Sequence, residues 1–168
     1  MTVRFARAED DRTCLVTAWS RDRRPFRVSG MAGTRALPHD LVTFAAEQAL
    51  GLDGGFFNLT AHGATFRSSG LRPTRPGRAI IAANRESLDA AEREVNAAWG
   101  AWQHGLPTPA ASALEAADRL WRGLAPGEHA DLLWYPRPVP TPIGTGRNTD
   151  TGRFGARSRP HQGRSKGR

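Results

Sequence analysis

The stretch LPHDLVTFAAEQALGLDGGFF, residues 37–57, decides most of what the sequence predicts about the fold. Pro38 suits the first turn of a helix, and Asp40 favours the positive end of the helix dipole. Gly51 is a typical residue to end a helix in the left-handed conformation. We therefore predict a helix over residues 38–50.

This predicted helix is amphipathic, because its residues separate by type at about 100° per residue. The apolar side carries Leu41, Val42, Ala45, Ala49 and Leu52. The polar side carries His39, Asp40, Thr43 and Glu47. We expect the apolar side to pack on a sheet and the polar side to face solvent or a cleft.

The segments on either side of this helix complete a prediction for residues 1–135. Residues 2–30 read as an antiparallel meander of three strands, since apolar and polar residues alternate and turn residues separate the runs. Residues 53–83 read as a loop with one short strand. Helical periodicity then predicts a hairpin over residues 84–122, and alternation from Ala130 to Trp134 predicts a last strand. The expected fold class is α+β: a small antiparallel sheet packed by one helix and a helical hairpin.

The basic character of the chain is concentrated at its C-terminal end. The net charge is +8, and residues 136–168 hold eight basic residues and one acid, whereas residues 1–135 hold 16 basic and 15 acidic residues. The run PRPVPTP predicts an extended spacer, and the remainder has too few apolar residues to form a core. We therefore predict one domain over residues 1–135 and a Pro-rich spacer with a disordered Arg/Gly-rich tail over 136–168. A chain ending near Tyr135 should then fold as well as the full chain.

A tail of this kind can neutralise phosphate groups without reading a base sequence. The partner would be nucleic acid or an acidic protein, and the alternative is a tail that only aids solubility. The residues expected to make this contact are Arg147, Arg153, Arg157, Arg159, Arg164, Lys166 and Arg168. Arginine outnumbers lysine 23 to 1, a bias that a GC-rich genome also produces, so arginine abundance alone does not indicate phosphate binding.

Other features exclude several classes of protein. A single cysteine, Cys14, precludes an internal disulfide and fits a reducing cytoplasm. The charged N-terminal residues predict no secretory signal, and no apolar run is long enough to span a membrane. The sequence contains no GxSxG, Walker A or CxxC motif, so no cofactor is predicted. Cys14 lies in a predicted strand with Leu15 and Val16 beside it, where a packed thiol is expected.

One enzymatic alternative rests on the polar side of the helix at residues 38–50. Zinc hydrolases often place two histidines one helical turn apart with a carboxylate nearby. His39 and Thr43 have that spacing, with Asp40 at the position of a catalytic carboxylate and Glu47 one turn further along. The alternative would use His39, Asp40 and Glu47 as catalytic residues, with His39 and Glu47 as metal ligands. Threonine is a poor zinc ligand, however.

The same stretch, with GFF after it and APGEHADLLWY near residue 135, resembles a family of small uncharacterised proteins from GC-rich bacteria. Their segment typically reads Leu-Pro-His-Asp-Leu-x-His-Phe, so Thr43 replaces the usual second histidine here. The resemblance implies a shared fold and little else; if the family uses the histidine pair to hold a metal, this chain has lost that site. We predict a non-enzymatic cytoplasmic binding or adaptor protein with a basic tail, and keep a divergent or degenerate metal-dependent hydrolase as the alternative.

Overall fold

A computed structural model describes residues 1–11, 13–19, 26–32, 36–67 and 73–139. The basic residues from Arg147 to Arg168 that we predict to contact a partner lie outside these ranges. Residues 140–142 of the predicted spacer and all of the predicted tail also lie outside these ranges, whereas residues 136–139 are described.

The sheet has four antiparallel strands in the order β3-β2-β1-β4. The strands are β1 (Thr2–Arg7), β2 (Thr13–Trp19), β3 (Phe26–Ala32) and β4 (His129–Leu133). Alternation explains why one face is buried: the fully buried side chains of β1 and β2 are all hydrophobic and lie at alternate positions. These buried side chains are Val3, Phe5, Cys14, Val16 and Ala18. The predicted meander and the predicted late strand are confirmed.

Five helices complete the described part of the chain. They are α1 (His39–Leu50), α2 (Phe56–Ala61), α3 (Arg75–Ala83), α4 (Arg85–Gln103) and α5 (Ala111–Gly123). The α1 helix packs against both α4 and α5, and its Phe44 ring lies edge-on to Phe5 of β1 at 5.5 Å between centroids. The α1 helix therefore packs on the sheet and against both helices of the hairpin, and the predicted α+β fold class is confirmed.

Two helices lie where we predicted a loop with one short strand, so the prediction for residues 53–83 is wrong. The α3 helix begins with a local signal that could have been read: the Thr74 hydroxyl accepts a hydrogen bond from the Gly77 amide at 3.1 Å, and Pro76 lies in the first turn. The α2 helix has only six residues and no side-chain cap at its own N-cap position, Gly55. Its backbone donors are satisfied from a different helix, as shown below.

The buried amide of Asn58 in α2 ties residues after β4 to the rest of the fold. Its Nδ2 donates to the carbonyl oxygens of Asp53 (2.6 Å) and Arg137 (3.1 Å). Its Oδ1 accepts from the Arg137 amide at 2.9 Å. Arg137 thus lies beyond the predicted domain boundary at residue 135, yet two hydrogen bonds join it to a side chain that is fully buried.

These hydrogen bonds change the expected effect of truncation. A chain ending at Tyr135 would leave the Asn58 side chain without Arg137, and we expect it to be less stable by about 2 kcal/mol, the scale of an unsatisfied buried amide. A chain ending at Val139 keeps both bonds and should match the full chain. Urea unfolding of all three chains measures the difference. Equal midpoints for the two truncated chains would contradict the role of Arg137.

Candidate functional site

A cavity of about 300 Å³ lies between α1 and α4, and we refer to it as the α1–α4 cavity. Phe56 of α2 and Phe66 contribute to its wall, and their rings are 4.4 Å apart at the centroids. The full set of lining residues is His39, Asp40, Thr43, Glu47, Phe56, Phe66, Leu88, Glu92, Val95 and Asn96. All four residues of the predicted polar side of α1 are in this set, so that side faces a cleft.

The geometry of α1 explains why these four side chains share one wall. Pro38 precedes the helix in an extended conformation (φ −64°, ψ 139°), and Gly51 ends it in the left-handed region (φ 69°, ψ 39°). Within these bounds, residues three, four and seven apart lie on the same side of a helix. The apolar side is buried at Leu41, Val42 and Ala45, whereas Ala49 is exposed in contrast to the prediction.

His39 and Thr43 interact within α1. The Thr43 hydroxyl donates to the His39 carbonyl oxygen at 3.0 Å, and the same hydroxyl lies 3.5 Å from His39 Nδ1. The His39 ring also makes an edge-on contact with Trp99 of α4, with 5.5 Å between centroids. Threonine at position 43 therefore hydrogen-bonds within its own helix.

Glu47 has a role that helical periodicity alone could not show. Its side chain is only 2% exposed, and its carboxylate accepts hydrogen bonds from the backbone amides of Phe56 (2.5 Å) and Phe57 (3.0 Å). These are the first residues of α2, whose leading amides have no partners within the helix. Glu47 of α1 thus caps α2.

Burial raises the pKa of Glu47 to about 7, and the hydrogen bonds from Phe57 and Phe56 oppose that rise. The carboxylate is held closely, since a Cβ atom at Gly55 would lie 2.3 Å from Glu47 Cδ. Glycine at position 55 is therefore required by the close approach of Glu47.

Besides His39, no histidine and no cysteine is among the described residues of the cavity wall. His62 Nδ1 lies 2.9 Å from the carbonyl oxygen of Asn58, and His62 is absent from the cavity wall. Among the residues that the structure describes, no three or more His, Cys, Asp or Glu side chains are placed to hold a metal ion. His39, Asp40 and Glu47 are brought to one wall, but without a further histidine or cysteine.

Cys14 is fully buried in the sheet, in agreement with the expected packed thiol. Burial raises its pKa to about 12, and the negative charge of Asp40 adds to that rise. A thiol of this kind is protonated at neutral pH and is a poor nucleophile.

Sequence reasoning missed the second half of the cavity wall. This half of the wall comes from one side of α4, because its residues recur at intervals of four, three and one along that helix. They are Leu88, Glu92, Val95 and Asn96. Helical periodicity places Leu88 and Val95 on the apolar side of the predicted hairpin, and it does not indicate a site there. The acidic and amide residues beside that stripe were the available signal, because a helix face that mixes apolar and polar groups can line a site.

A second depression of about 420 Å³ lies between α1, α5 and β4. The described residues of its wall are alanine, leucine and phenylalanine, and Gln48 is the only polar residue among them. It offers little chemistry for recognition.

Comparison of the chain with protein-family models, with curated proteins and with solved structures finds no match in any of the three. No helix among the described residues is long and apolar enough to cross a lipid bilayer.

Proposed function

We propose that this chain is a non-enzymatic cytoplasmic binding protein whose α1–α4 cavity holds a small ligand. The observation that carries the proposal is the composition of the wall: polar side chains of α1 and α4 converge on a cavity that also has two phenylalanine rings. Ligand sites in proteins are typically concave and mostly apolar, with a few polar groups that orient the ligand. The volume of about 300 Å³ is at the lower end of the usual ligand-binding range.

The engagement of the polar residues favours binding over catalysis. Both oxygens of Glu47 accept backbone hydrogen bonds, so this carboxylate already serves the fold. The His39 ring packs against Trp99, and its neighbour Thr43 bonds to the backbone. General acid–base catalysis needs a titrating group within reach of the reacting atom. Groups whose hydrogen-bonding atoms are already used by the fold are poor candidates for moving a proton, and they serve to shape the wall of the cavity.

A fragment screen by NMR tests this proposal, with chemical-shift changes assigned to residues. Fragments that bind the cavity should shift the amides of α1 and α4. Asn96→Trp should abolish this binding, because Asn96 lines the cavity and the indole would fill it. Ala97→Trp is the matched control, since Ala97 is the next residue of α4, is exposed and lies outside the wall. The proposal would be contradicted if fragments bind both variants equally well. It would also be contradicted if no fragment shifts the amides of the cavity residues.

The alternative function is a divergent or degenerate metal-dependent hydrolase. It is favoured by one observation: His39, Asp40 and Glu47 share one wall of the cavity. Elemental analysis separates the two functions. We expect well below one zinc per chain, because Thr43 replaces the second histidine and Glu47 is engaged with α2. Close to one zinc per chain, lost in His39→Ala, would favour the hydrolase.

The proposed role of the basic tail is weak electrostatic contact with nucleic acid or an acidic protein. Residues 136–168 carry a net charge of +7 and the remaining residues only +1. Binding to an arbitrary DNA duplex should therefore be independent of sequence and weaken steeply with salt, with Kd of ~10⁻⁴ to 10⁻⁶ M at physiological salt.

A salt titration of the full chain and of a chain ending at Val139 measures this contact. We expect the shorter chain to lose the binding. Equal affinity of the two chains would place the contact on the folded part, and no binding at low salt by either would leave only the solubilising role.

A further inference from the structure

The charged groups of the α1–α4 cavity are of one sign. Asp40, Glu47 and Glu92 contribute three carboxyl groups to the wall, and the described lining residues include no lysine or arginine. The remaining polar groups are an imidazole, a hydroxyl and an amide, from His39, Thr43 and Asn96. A cavity lined by acidic groups within low-dielectric walls concentrates the field and attracts a positively charged ligand.

The carboxyl groups lie at different depths. Glu47 is buried, Asp40 is half-buried, and Glu92 is exposed. The acidic lining thus runs from solvent into the protein. A ligand that places its charged end among these groups would exchange water for carboxylate oxygens, which are strong acceptors for ammonium donors.

The aromatic groups fit the same kind of ligand. The Phe56 and Phe66 rings are inclined at 38° to each other, and both line the cavity. An aromatic face attracts a cation, and it also packs well against an apolar ligand body. The volume is about twice the ~150 Å³ known to accommodate a benzene ring, which leaves room for a ring and a short chain.

We infer that the ligand of the α1–α4 cavity is a small organic monocation, an amine with an apolar body of about the size of a phenylethyl group. This inference rests on the proposed function and adds the sign of the charge. Asp40 and Glu92 are the specificity-determining residues, because they supply negative charge without the capping role that holds Glu47.

Three compounds of matched shape test the sign of the charge on the full-length protein. They are 2-phenylethylamine, 2-phenylethanol and 3-phenylpropanoate, which are cationic, neutral and anionic. Affinities are measured by NMR titration of cavity amides, so that contact of the anion with arginines elsewhere does not register. We expect the amine to bind about tenfold more tightly than the alcohol, a difference of ~1.4 kcal/mol, and the carboxylate to bind most weakly.

Charge-neutralising variants identify the residues that produce the preference for the cationic ligand. Glu92→Gln and Asp40→Asn should each weaken the amine about fivefold, the range expected for one partly exposed charge pair, and leave the alcohol unchanged. Glu94→Gln is the matched control, because Glu94 is an exposed acid on α4 outside the wall.

If the alcohol or the carboxylate binds as tightly as the amine, the inference is wrong while the proposed function stands. The same conclusion follows if none of the three binds but other fragments occupy the cavity. If no fragment of any charge binds there, the proposed function fails with it.

Discussion

Replacing Phe57 with alanine should lower the free energy of unfolding by about 4 kcal/mol, within the range for a buried phenylalanine in a closely packed core. Phe57 is fully buried and comes from the short helix α2. Its ring contacts Phe44 of α1 (5.2 Å between centroids), Phe5 of β1 (6.3 Å) and Trp134 beside β4 (5.7 Å). Removing it would open a cavity where helix and sheet meet.

Urea unfolding monitored by tryptophan fluorescence measures this loss. Phe56→Ala is the matched control, since Phe56 is the preceding residue of the same helix but is only half-buried. We expect it to cost about 1–2 kcal/mol, in proportion to the smaller apolar area that it removes from water. Equal losses for the two variants would mean that α2 is not docked through Phe57.

The second large effect that we expect is a fall in the free energy of unfolding as the pH rises from about 4.5 to about 7. Burial raises the pKa of Glu47 from its ordinary 4.5 to about 7 in the folded chain. Between these values the folded chain binds one proton more than the unfolded chain, so stability decreases with pH. The contribution is fully present below pH 4.5 and is lost as the pH rises through 7. At about 1.4 kcal/mol per pH unit, the total is about 3 kcal/mol.

This dependence is isolated by comparing the wild-type chain with Glu47→Gln at several pH values. The glutamine side chain does not titrate. The free energy of unfolding of the variant should therefore lack this decrease with pH, whatever its value at any one pH. Other titratable groups line the same cavity, on α1 (His39, Asp40) and on α4 (Glu92). Glu92→Gln removes an exposed acid from that wall and should retain the slope. If wild type and Glu47→Gln change in parallel with pH, the carboxyl of Glu47 does not titrate in this range.

Elements that depend on local patterns were predictable from the sequence. The β1–β3 meander follows from the alternation of residues such as Val3 and Phe5, because successive side chains of a strand point to opposite faces. The bounds of α1 follow from Pro38 and Gly51, which act on the backbone through their own conformations. The side of α1 that carries His39, Asp40, Thr43 and Glu47 also follows from the helical repeat.

Only the tertiary structure decided which parts of the fold the polar side of α1 faces. The repeat places Glu47 in line with His39 and Thr43, but it does not indicate that the carboxylate is buried against the first residues of α2. The opposite wall of the cavity comes from α4, whose Glu92 and Asn96 are about 50 positions further along the chain. Neither the contact between Glu47 and α2 nor the contact between α1 and α4 leaves a periodic signal in the sequence.

The α2 helix shows the physical reason most directly. Six residues are too few for a helix to be stable by its own hydrogen bonds, so local propensity predicts a loop. The helix forms because groups distant in sequence satisfy it: Glu47 caps its first amides, Arg137 binds Asn58, and Phe57 packs in the core. Alternation, helical repeat and turn residues act over a few positions and can be read from the sequence. Contacts between distant segments depend on how the chain packs, and they alone determined α2 and the cavity beside it.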